Sequence, residues 1–375
     1  MGSEQFPLHQ SGIYRNLPTF DPSIVGLKAL VVGATGISGF STIRALLDSP
    51  QRWATVFALS RSPPTPEMLS LLTREQQGRI QHVSVDLTGS AEQISASLQK
   101  AKVEADHVFF YGYIHPKGKS AMDPTLADTL VETNVPIFEN FIGALSIAKI
   151  EPKRILLQTG GKNYGGHIGR SRLPFVESDP QPRHLTNNFY HKQEEILFRF
   201  CEQNPGTDWN IIMPFAIIGA VPNAGMNSFA PFAIVAAVEA EKDQPIHFPG
   251  DIEEWQYELC HSSAKLTGYI SEWAVLEERC KNQRFNAQDG SPLSWDRFFS
   301  ELARWYGVSR GVVGPDPDES QYHEIVLAGG RDCPLGYGPP KSIRLSRSFQ
   351  DWAEDDNNHQ AWQTISLLTY KDACL

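Results

Sequence analysis

The phenol of Tyr190, in the segment NNFYHKQEE, is a candidate hydrogen-bond donor for catalysis. A tyrosine serves this purpose best when a nearby ammonium lowers its pKa from about 10. Enzymes that use tyrosine in this way usually place a lysine four residues later, one helical turn along. Here that position holds Glu194, whose charge would raise the pKa of the phenol. Lys192 is nearer, but residues two apart on a helix do not face each other. Either Tyr190 is not catalytic, or its cation comes from elsewhere in the chain.

The strongest signal for a ligand lies in LKALVVGATGISGFSTIRALL, residues 27–47. A short apolar run, typical of a strand buried on both faces, precedes three glycines and a helical pattern. Gly33 permits a tight turn, Gly36 lets backbone amides approach a pyrophosphate, and Gly39 lets the helix pack closely on the strand. The N-terminus of a helix favours such anions. The segment predicts a dinucleotide site, against the alternative of a glycine-rich turn without a ligand. Its spacing, GxxGxxG, is that of extended and atypical short-chain dehydrogenases.

The end of the next strand indicates which dinucleotide is bound. ATVFAL runs into SRSPP, so that Ser60, Arg61 and Ser62 follow the strand where an NAD-specific fold usually has Asp or Glu. A guanidinium flanked by hydroxyls suits the 2′-phosphate of NADP, because arginine can bind phosphate with two parallel hydrogen bonds. NADPH/NADP is therefore the expected cofactor, and the alternative is an ordinary surface arginine after a strand.

Alternating strand and helix patterns continue through IQHVSVDL, HVFFYGY and RILLQTG. This alternation predicts an α/β fold with a doubly wound parallel sheet, whose ligands bind outside the carboxyl ends of the strands. Asp86 and Leu87 follow a strand where this fold commonly contacts adenine. We expect an N-terminal arm over residues 1–25, a dinucleotide-binding domain over 26–220, and a substrate-side lobe with a C-terminal extension over 221–375. The lobe is expected to be smaller, mostly helical and packed on the first domain.

A cation for Tyr190 could come from RILLQTGGKNYGG, which places Lys162 just beyond the fifth strand. That position lies at the mouth of the predicted cofactor cleft, because the carboxyl ends of parallel strands share one edge of the sheet. Strand-end geometry could therefore bring Lys162 and Tyr190 together despite their separation in sequence. The alternative is a solvated loop lysine.

Taken together, four segments resemble the progesterone 5β-reductase and iridoid synthase-like (PRISE-like) reductases, which are atypical extended short-chain dehydrogenases. The segments are LVVGATGISG, LQTGGKNYGG, NNFYHKQEEIL and FNAQDGSPLSWDRFFSELARWYGV. That family pairs a tyrosine in an N-F-Y motif with a lysine from a Q-T-G-x-K segment, and Tyr190 and Lys162 fall on those positions. The resemblance runs from about Leu27 to Val308 and implies an NADP-binding Rossmann fold.

The resemblance also implies cofactor contacts at particular positions. Three departures concern this site: Ser62 stands where the family usually has a second arginine, Met213 replaces an arginine common before the proline, and Phe215 replaces a glycine. The implied contacts are the phosphate loop at Thr35, Gly36 and Ile37, the 2′-phosphate pair Arg61 and Ser62, the adenine contacts Asp86 and Leu87, the strand-end positions Gly112 and Gln158, the nicotinamide-facing turn at Pro214 and Ile217, and the loop of Ala224, Gly225 and Met226.

The implied reaction is transfer of a hydride from NADPH to the β-carbon of an α,β-unsaturated carbonyl in a small hydrophobic substrate. Tyr190 would stabilise the enolate oxygen and Lys162 would lower the pKa of the phenol. The same pair could polarise a ketone or an imine. Two alternatives are a non-redox or reduction-coupled cyclisation and an NmrA-like cofactor-sensing regulator, although such regulators generally lack the tyrosine. Three residues expected near the mouth are interpreted as pocket-lining or surface groups: His115, Tyr164 and His167.

Composition excludes several classes of partner. Asp and Glu number 43 against 33 Lys and Arg, giving a net charge of −10, which argues against nucleic acid or an anionic membrane. Five cysteines fit no metal or disulfide spacing and suit a reducing compartment. We therefore expect a cytoplasmic monomer or homodimer that uses a small-molecule substrate and no metal.

Overall fold

The computed structural model describes residues 7–115, 126–185, 187–222 and 225–372. The described strands are β1 Leu27–Val32, β2 Trp53–Ser60, β3 Ile80–Ser84, β4 His107–Phe110, β5 Arg154–Gln158, β6 Asp208–Pro214, β7 Ile217–Ile218, β8 Ile246–His247, β9 Glu258–Leu259, β10 Ser262–Ser263, β11 Gln283–Ala287, β12 Leu293–Ser294, β13 Val312–Val313, β14 His323–Val326 and β15 Ser342–Leu345.

The helices alternate with the strands, and in the second half of the chain most of the strands between them are short. They are α1 Ile37–Leu47, α2 Pro66–Leu69, α3 Arg74–Gly78, α4 Ala91–Lys100, α5 Ala127–Ala148, α6 Phe189–Gln203, α7 Ala230–Glu241, α8 Ile252–Trp255, α9 Ala264–Leu276, α10 Trp295–Tyr306, α11 Phe349–Ala353 and α12 Asp356–Asp372. None of the described helices combines the length and the apolar character that a membrane span requires.

A seven-stranded sheet in the order β11-β6-β5-β4-β1-β2-β3 forms the centre of the molecule. Every neighbouring pair is parallel, which confirms the predicted doubly wound fold. The chain winds outward in one direction from β1 to β3 and in the other direction from β4 to β6. The crevice between β1 and β4 is thus the switch point at which such sheets bind ligands.

Helices cover both faces of the sheet. On one face α1 packs against α9, and on the other face α4 packs against α5 and α5 against α6. The α1–α9 contact is close because α9 has a glycine at the crossing: a Cβ added to Gly268 would lie 2.9 Å from the Cα of Thr42. Apolar side chains fill the space under each layer and fix the strand ends that carry the site.

Elements beyond residue 220 contribute both to the main sheet with its covering helices and to a separate apolar cluster. Strand β11 completes the main sheet and α9 packs on α1, whereas α7 and α10 form a separate apolar cluster with the C-terminal helices. Trp352 of α11 is buried in that cluster and donates to Glu239 of α7 at 2.8 Å. The proposed domain boundary at residue 220 stays a prediction, and the sheet draws one strand from beyond it.

Candidate functional site

The glycine turn between β1 and α1 has the close contacts that the sequence requires of it. Gly33 has a φ of +80°, and a Cβ added there would lie 3.0 Å from the backbone of Tyr111. A Cβ on Gly39 would lie 2.2 Å from the oxygen of Gly33, so only glycine lets α1 start so close to the strand. Gly36 is the exposed N-cap of α1, and Thr35 and Ile37 stand on either side of it.

Two buried polar atoms at this end of the sheet have no hydrogen-bond partner among the described residues. They are Oγ of Ser38, in the first turn of α1, and Oε1 of Gln158, at the end of β5. A buried polar group without a partner is costly unless a ligand or water satisfies it. A dinucleotide lying across the switch point could therefore bind the hydroxyl of Ser38 near its phosphates and the amide oxygen of Gln158 at the end of β5. Ser38 is not among the predicted residues, although a hydroxyl in the first turn after a glycine loop could have indicated it.

The segment predicted to bind the adenosine half lies at the ends of β2 and β3. Arg61 is exposed, and its backbone oxygen accepts a hydrogen bond from Ser84 at 3.1 Å. The hydroxyl of Ser60 donates to the carbonyl of Ser62 at 2.8 Å, which closes the turn that carries the arginine. The guanidinium of Arg61 thus projects from a short, braced turn.

The residues predicted to contact adenine, Asp86 and Leu87, lie next to the strand end of β4. Hydrogen bonds from Thr88 lower the pKa of Asp86, and the positive charge of Arg61 acts in the same direction. The side chain of Leu87 lies 2.8 Å from the position of a Cβ on Gly112, so a larger residue at 112 would displace it. Asp86, Leu87, Arg61 and Gly112 therefore share one edge of the crevice.

The turn after β6 borders the other half of the crevice. Ile217 pairs with Ser262 in β7–β10, and Ile37 of α1 lies 2.8 Å from a Cβ position on Gly219. This loop therefore lies across the start of α1. Gly225 and Met226 follow as exposed residues, and Ala224 lies outside the described residues.

Tyr190 reaches the crevice from the first turn of α6. Its hydroxyl lies 3.5 Å from the position of a Cβ on Gly160, and the carbonyl oxygen of Pro214 lies 3.3 Å from the same point. The phenol thus lies against the ends of β5 and β6, where the strand order places the reactive half of a dinucleotide. Burial raises the pKa of Tyr190, and the neighbouring phenol of Tyr113 adds to the effect. The hydroxyl stays protonated at neutral pH.

The side chain of Asn188 holds the backbone of Lys162 at the start of the same helix. The lysine lies in the 3₁₀ turn Gly161–Tyr164 that follows β5. Nδ2 of Asn188 donates to the backbone oxygen of Lys162 at 2.8 Å, and Oδ1 of Asn188 accepts the N–H of Tyr190 at 3.0 Å. Lys162 and His167 line a cavity of about 20 Å³ together with residues at the start of α6. The structure therefore brings the elements that carry Lys162 and Tyr190 into direct contact.

Glu194 has a different role from the one its position suggests. It is fully buried, and its carboxylate accepts hydrogen bonds from Asn163 at 2.6 Å, Gln181 at 2.8 Å and Arg284 at 2.7 Å. Asn163 is the residue after Lys162, so this carboxylate anchors the lysine turn to α6. Lys192 is exposed on the same helix.

The remaining candidates near the mouth differ in where their polar atoms point. The hydroxyl of Tyr164 donates to Asn286 at 2.8 Å, and its ring stacks on Phe175 with 4.6 Å between centroids. Burial, together with the charge of Lys162, lowers the pKa of His167 to about 4, so its ring is neutral. Nδ1 of His115 shares a hydrogen bond of 2.9 Å with the hydroxyl of Tyr113. No cluster of three metal-binding side chains occurs among the described residues.

Comparison with known proteins shows to which family the chain belongs. The PRISE-like Rossmann-fold domain matches residues 29–326. The chain is 28% identical to an (S)-8-oxocitronellyl enol synthase of Nepeta racemosa, covering 76% of this chain and 70% of that protein. It is 27% identical to a 3-oxo-Δ4,5-steroid 5β-reductase of Arabidopsis thaliana, covering 75% and 69%. A UDP-glucose 4-epimerase structure from Stenotrophomonas maltophila with bound NAD shares the fold, with a TM-score of 0.60, 14% identity and coverage of 78% and 87%. The chain belongs to the PRISE-like Rossmann-fold family.

Proposed function

We propose that this protein is an NADPH-dependent reductase that delivers hydride to the β-carbon of an α,β-unsaturated carbonyl in a small hydrophobic substrate. The observation that carries the proposal is the position of Tyr190, whose hydroxyl lies 3.5 Å from a Cβ position on Gly160 at the end of β5. A donor at that point can meet a carbonyl oxygen lying over the reactive half of a dinucleotide.

The residues around the crevice fit such a cofactor. Gly36 leaves backbone amides open at the N-terminus of α1, where phosphates are favoured. The unused hydroxyl of Ser38 and the unused amide oxygen of Gln158 supply two further partners. Arg61 stands at the end of β2 to meet a 2′-phosphate. When bound, the reduced nicotinamide supplies the hydride.

Tyr190 supplies a hydrogen bond where negative charge develops. Hydride addition to the β-carbon moves charge to the carbonyl oxygen, and a preorganised donor at that oxygen is usually the largest single catalytic contribution. Because burial raises the pKa of Tyr190, the phenol keeps its proton and acts as a hydrogen-bond donor to the enolate. We assign the supporting positive charge to Lys162, whose backbone is anchored by Asn188 at the start of the helix that carries Tyr190.

The names of two relatives support the class of substrate. One relative reduces a 3-oxo-Δ4,5-steroid at its 5β position, and the other is an enol synthase. Both names describe chemistry at a conjugated carbonyl or its enol. For this chain we propose the same bond type, an enone, while the rest of the substrate differs with the lobe that covers the site.

The proposal is tested by oxidation of NADPH with three enones: cyclohex-2-en-1-one, 2-methylcyclohex-2-en-1-one and a 3-oxo-Δ4,5-steroid. Cyclohexanone serves as the matched substrate without the double bond. We expect turnover of at least one enone, no turnover of cyclohexanone, and a loss on the order of 100-fold in Tyr190→Phe. Oxidation with cyclohexanone alone, or with none of the four compounds, would refute the proposal.

A further inference from the structure

A second tyrosine lies beside Tyr190. Tyr113 continues from β4 past Gly112, and its ring is nearly parallel to Phe189, with 5.8 Å between centroids. Phe189 in turn lies 4.2 Å from the ring of Tyr190. Tyr113 and Tyr190 also pack on one buried cluster, formed by Leu126, Leu130 and Phe189. Tyr113 thus approaches from the β4 side of the crevice, whereas Lys162 approaches from β5.

Both backbone polar groups of Ile114, the residue after Tyr113, are hydrogen-bonded to one side chain. The N–H of Ile114 donates to Oδ1 of Asn134 at 2.8 Å, and Nδ2 of Asn134 donates back to the oxygen of Ile114 at 3.0 Å. Asn134 lies on α5 and is fully buried. Gln193 of α6 donates to the backbone oxygen of Asn134 at 2.8 Å. This chain of contacts joins the Tyr113 segment to the helix that carries Tyr190.

His115 supplies the partner of the Tyr113 hydroxyl. Oη of Tyr113 and Nδ1 of His115 are 2.9 Å apart, and their rings stack at 6.0 Å with 26° between planes. Burial raises the pKa of Tyr113 to about 12, so its hydroxyl keeps a proton until a strong base is formed next to it. An enolate carbon generated beside Tyr190 is such a base.

We infer that Tyr113, supported by His115, delivers the proton to the α-carbon of the substrate, an inference that rests on the proposed enone reduction. Reduction of the double bond needs one hydride at the β-carbon and one proton at the α-carbon. Tyr190 remains hydrogen-bonded to the oxygen, so protonation of the carbon within the site takes a second donor, whereas an enolate released to solvent would be protonated by water on either face. The donor that the structure places beside Tyr190 and fixes through Asn134 is Tyr113.

The atoms balance as follows in the proposed step. The C=C bond becomes a single bond as the hydride adds, and its electron pair passes to the enolate. The new Cα–H bond forms as the O–H bond of Tyr113 breaks. The phenolate then takes the proton on Nδ1 of His115, while Nε2 of His115 takes a proton from solvent. Each turnover thus consumes one hydride and one solvent proton. Tyr113 regains its proton, and exchange of the imidazole protons with solvent returns His115 from the Nε2–H to the Nδ1–H tautomer.

The face on which the α-carbon is protonated tests this assignment. Reduction of 2-methylcyclohex-2-en-1-one creates a stereocentre at that carbon, and a 3-oxo-Δ4,5-steroid reduced in D₂O takes deuterium there. The wild type should give one enantiomer of the methyl ketone, and deuterium on one face of the steroid α-carbon. Tyr113→Phe keeps the ring stack but should lower kcat by about 100-fold and give a mixture, because water protonates either face. NADP affinity by calorimetry should be unchanged.

Tyr111→Phe is the matched control, since the hydroxyl of Tyr111 contacts Thr42 and Ser271 between α1 and α9. It should retain the single face. His115→Gln should keep the face, slow turnover by about tenfold and increase the solvent isotope effect; it carries the test if Tyr113→Phe does not fold. Three results would overturn the inference but not the proposed function. They are protonation on a single face in Tyr113→Phe, mixed product from the wild type, and unchanged kinetics in His115→Gln. No turnover of any enone by the wild type would overturn the proposed function, and the inference with it.

Discussion

The side-chain amide of Asn188 donates to the backbone oxygen of Lys162 at 2.8 Å. The oxygen of the same amide accepts the N–H of Tyr190 at 3.0 Å and thereby caps α6. In a Y-x-x-x-K arrangement one helix sets the distance between tyrosine and lysine. In this protein Asn188 does so by fixing the lysine turn against the start of the tyrosine helix, and Glu194 holds the next residue, Asn163.

Two substitutions separate the two contacts of Asn188. Asn188→Asp keeps an oxygen that can cap the helix but loses the donor to Lys162, so stability should change by less than about 0.5 kcal/mol. Turnover should fall on the order of 100-fold, because the lysine turn loses the anchor at Lys162 itself and keeps only the one through Asn163 and Glu194, so the lysine shifts. Asn188→Ala should lose both functions, with about 1 kcal/mol of stability. Ser90→Ala, which removes the cap of α4, should lower stability without affecting turnover. Thermal unfolding and kcat measure both effects, and full activity in Asn188→Asp would contradict the role given to this residue.

Tyr190 and Lys162 should behave as one unit in a double-mutant cycle. Tyr190→Phe removes only the hydroxyl, so the fold and cofactor affinity should survive while turnover falls on the order of 100-fold. Lys162→Met should lower turnover less, and the double mutant should be little worse than Tyr190→Phe. The control is Lys192→Met, because Lys192 is exposed on the same helix and should be dispensable. Additive losses, or inactivation by Lys192→Met, would show that the cation comes from elsewhere.

Arg61 should decide between the two dinucleotides. Arg61→Ala should weaken binding of NADPH by about 1.5–3 kcal/mol, the value of a charge-assisted hydrogen bond, and leave NADH nearly unchanged. Arg74→Ala is a suitable control, since Arg74 is exposed at the start of α3. Isothermal calorimetry with both cofactors measures the difference. Equal losses for NADPH and NADH would mean that Arg61 does not contact the 2′-phosphate.

The buried carboxylate of Glu194 should contribute to stability through its charge partner. Glu194→Gln leaves the guanidinium of Arg284 without a counter-charge, and removal of one member of a buried pair costs about 3–5 kcal/mol. Replacing both residues, as Glu194→Gln with Arg284→Met, should recover part of the loss. Glu195→Gln, which affects an exposed pair with Arg183, should cost less than about 1 kcal/mol. Urea unfolding of the four proteins tests this order, and a harmless Glu194→Gln would contradict it.

The sequence predicts the parts of this fold that local rules determine. The glycine turn requires only neighbouring residues, and alternating strands and helices define a parallel sheet with one ligand-binding edge. The network of Glu194 could not be predicted in this way, because Gln181 and Arg284 come from distant segments and meet the carboxylate only after folding. The place of strand β11 in the sheet could not be predicted for a related reason. Its residues are mostly half-buried, and it joins the sheet only by pairing with β6.

The contacts of Asn188 and Tyr113 at the site could not be predicted from the sequence either, because they also depend on distant segments. An asparagine before a helix predicts a cap, but only the folded chain shows that the other end of its amide holds Lys162. Tyr113 follows a strand end like many surface tyrosines, and its place beside Tyr190 depends on Asn134 of α5. The position of Lys162 at this edge of the sheet was predictable because strand ends of a parallel sheet converge, whereas the residues that fix its turn were not.

His107 on β4 should make stability depend on pH below neutrality. Its ring is buried edge-on against Trp53, and Nδ1 has no partner among the described residues. Burial lowers the pKa of His107 from 6.5 to about 4. The unfolded chain therefore binds a proton below pH 6.5 that the folded protein does not, and the free energy of unfolding falls as pH drops from 6.5 to 4. The contribution is on the order of 3 kcal/mol.

His107→Gln removes the titrating ring and should flatten the decline in stability across that pH range. At pH 7.5 the variant should lose about 1 kcal/mol, since a less well packed amide replaces the ring. The matched control is His184→Gln, because His184 is exposed and its replacement should leave the profile unchanged. Urea unfolding at several pH values between 7.5 and 4.5 gives the slopes. Parallel profiles for the wild type and His107→Gln would mean that His107 takes up its proton without unfolding, so that the pocket beside Trp53 must admit water or a counter-charge in the folded state.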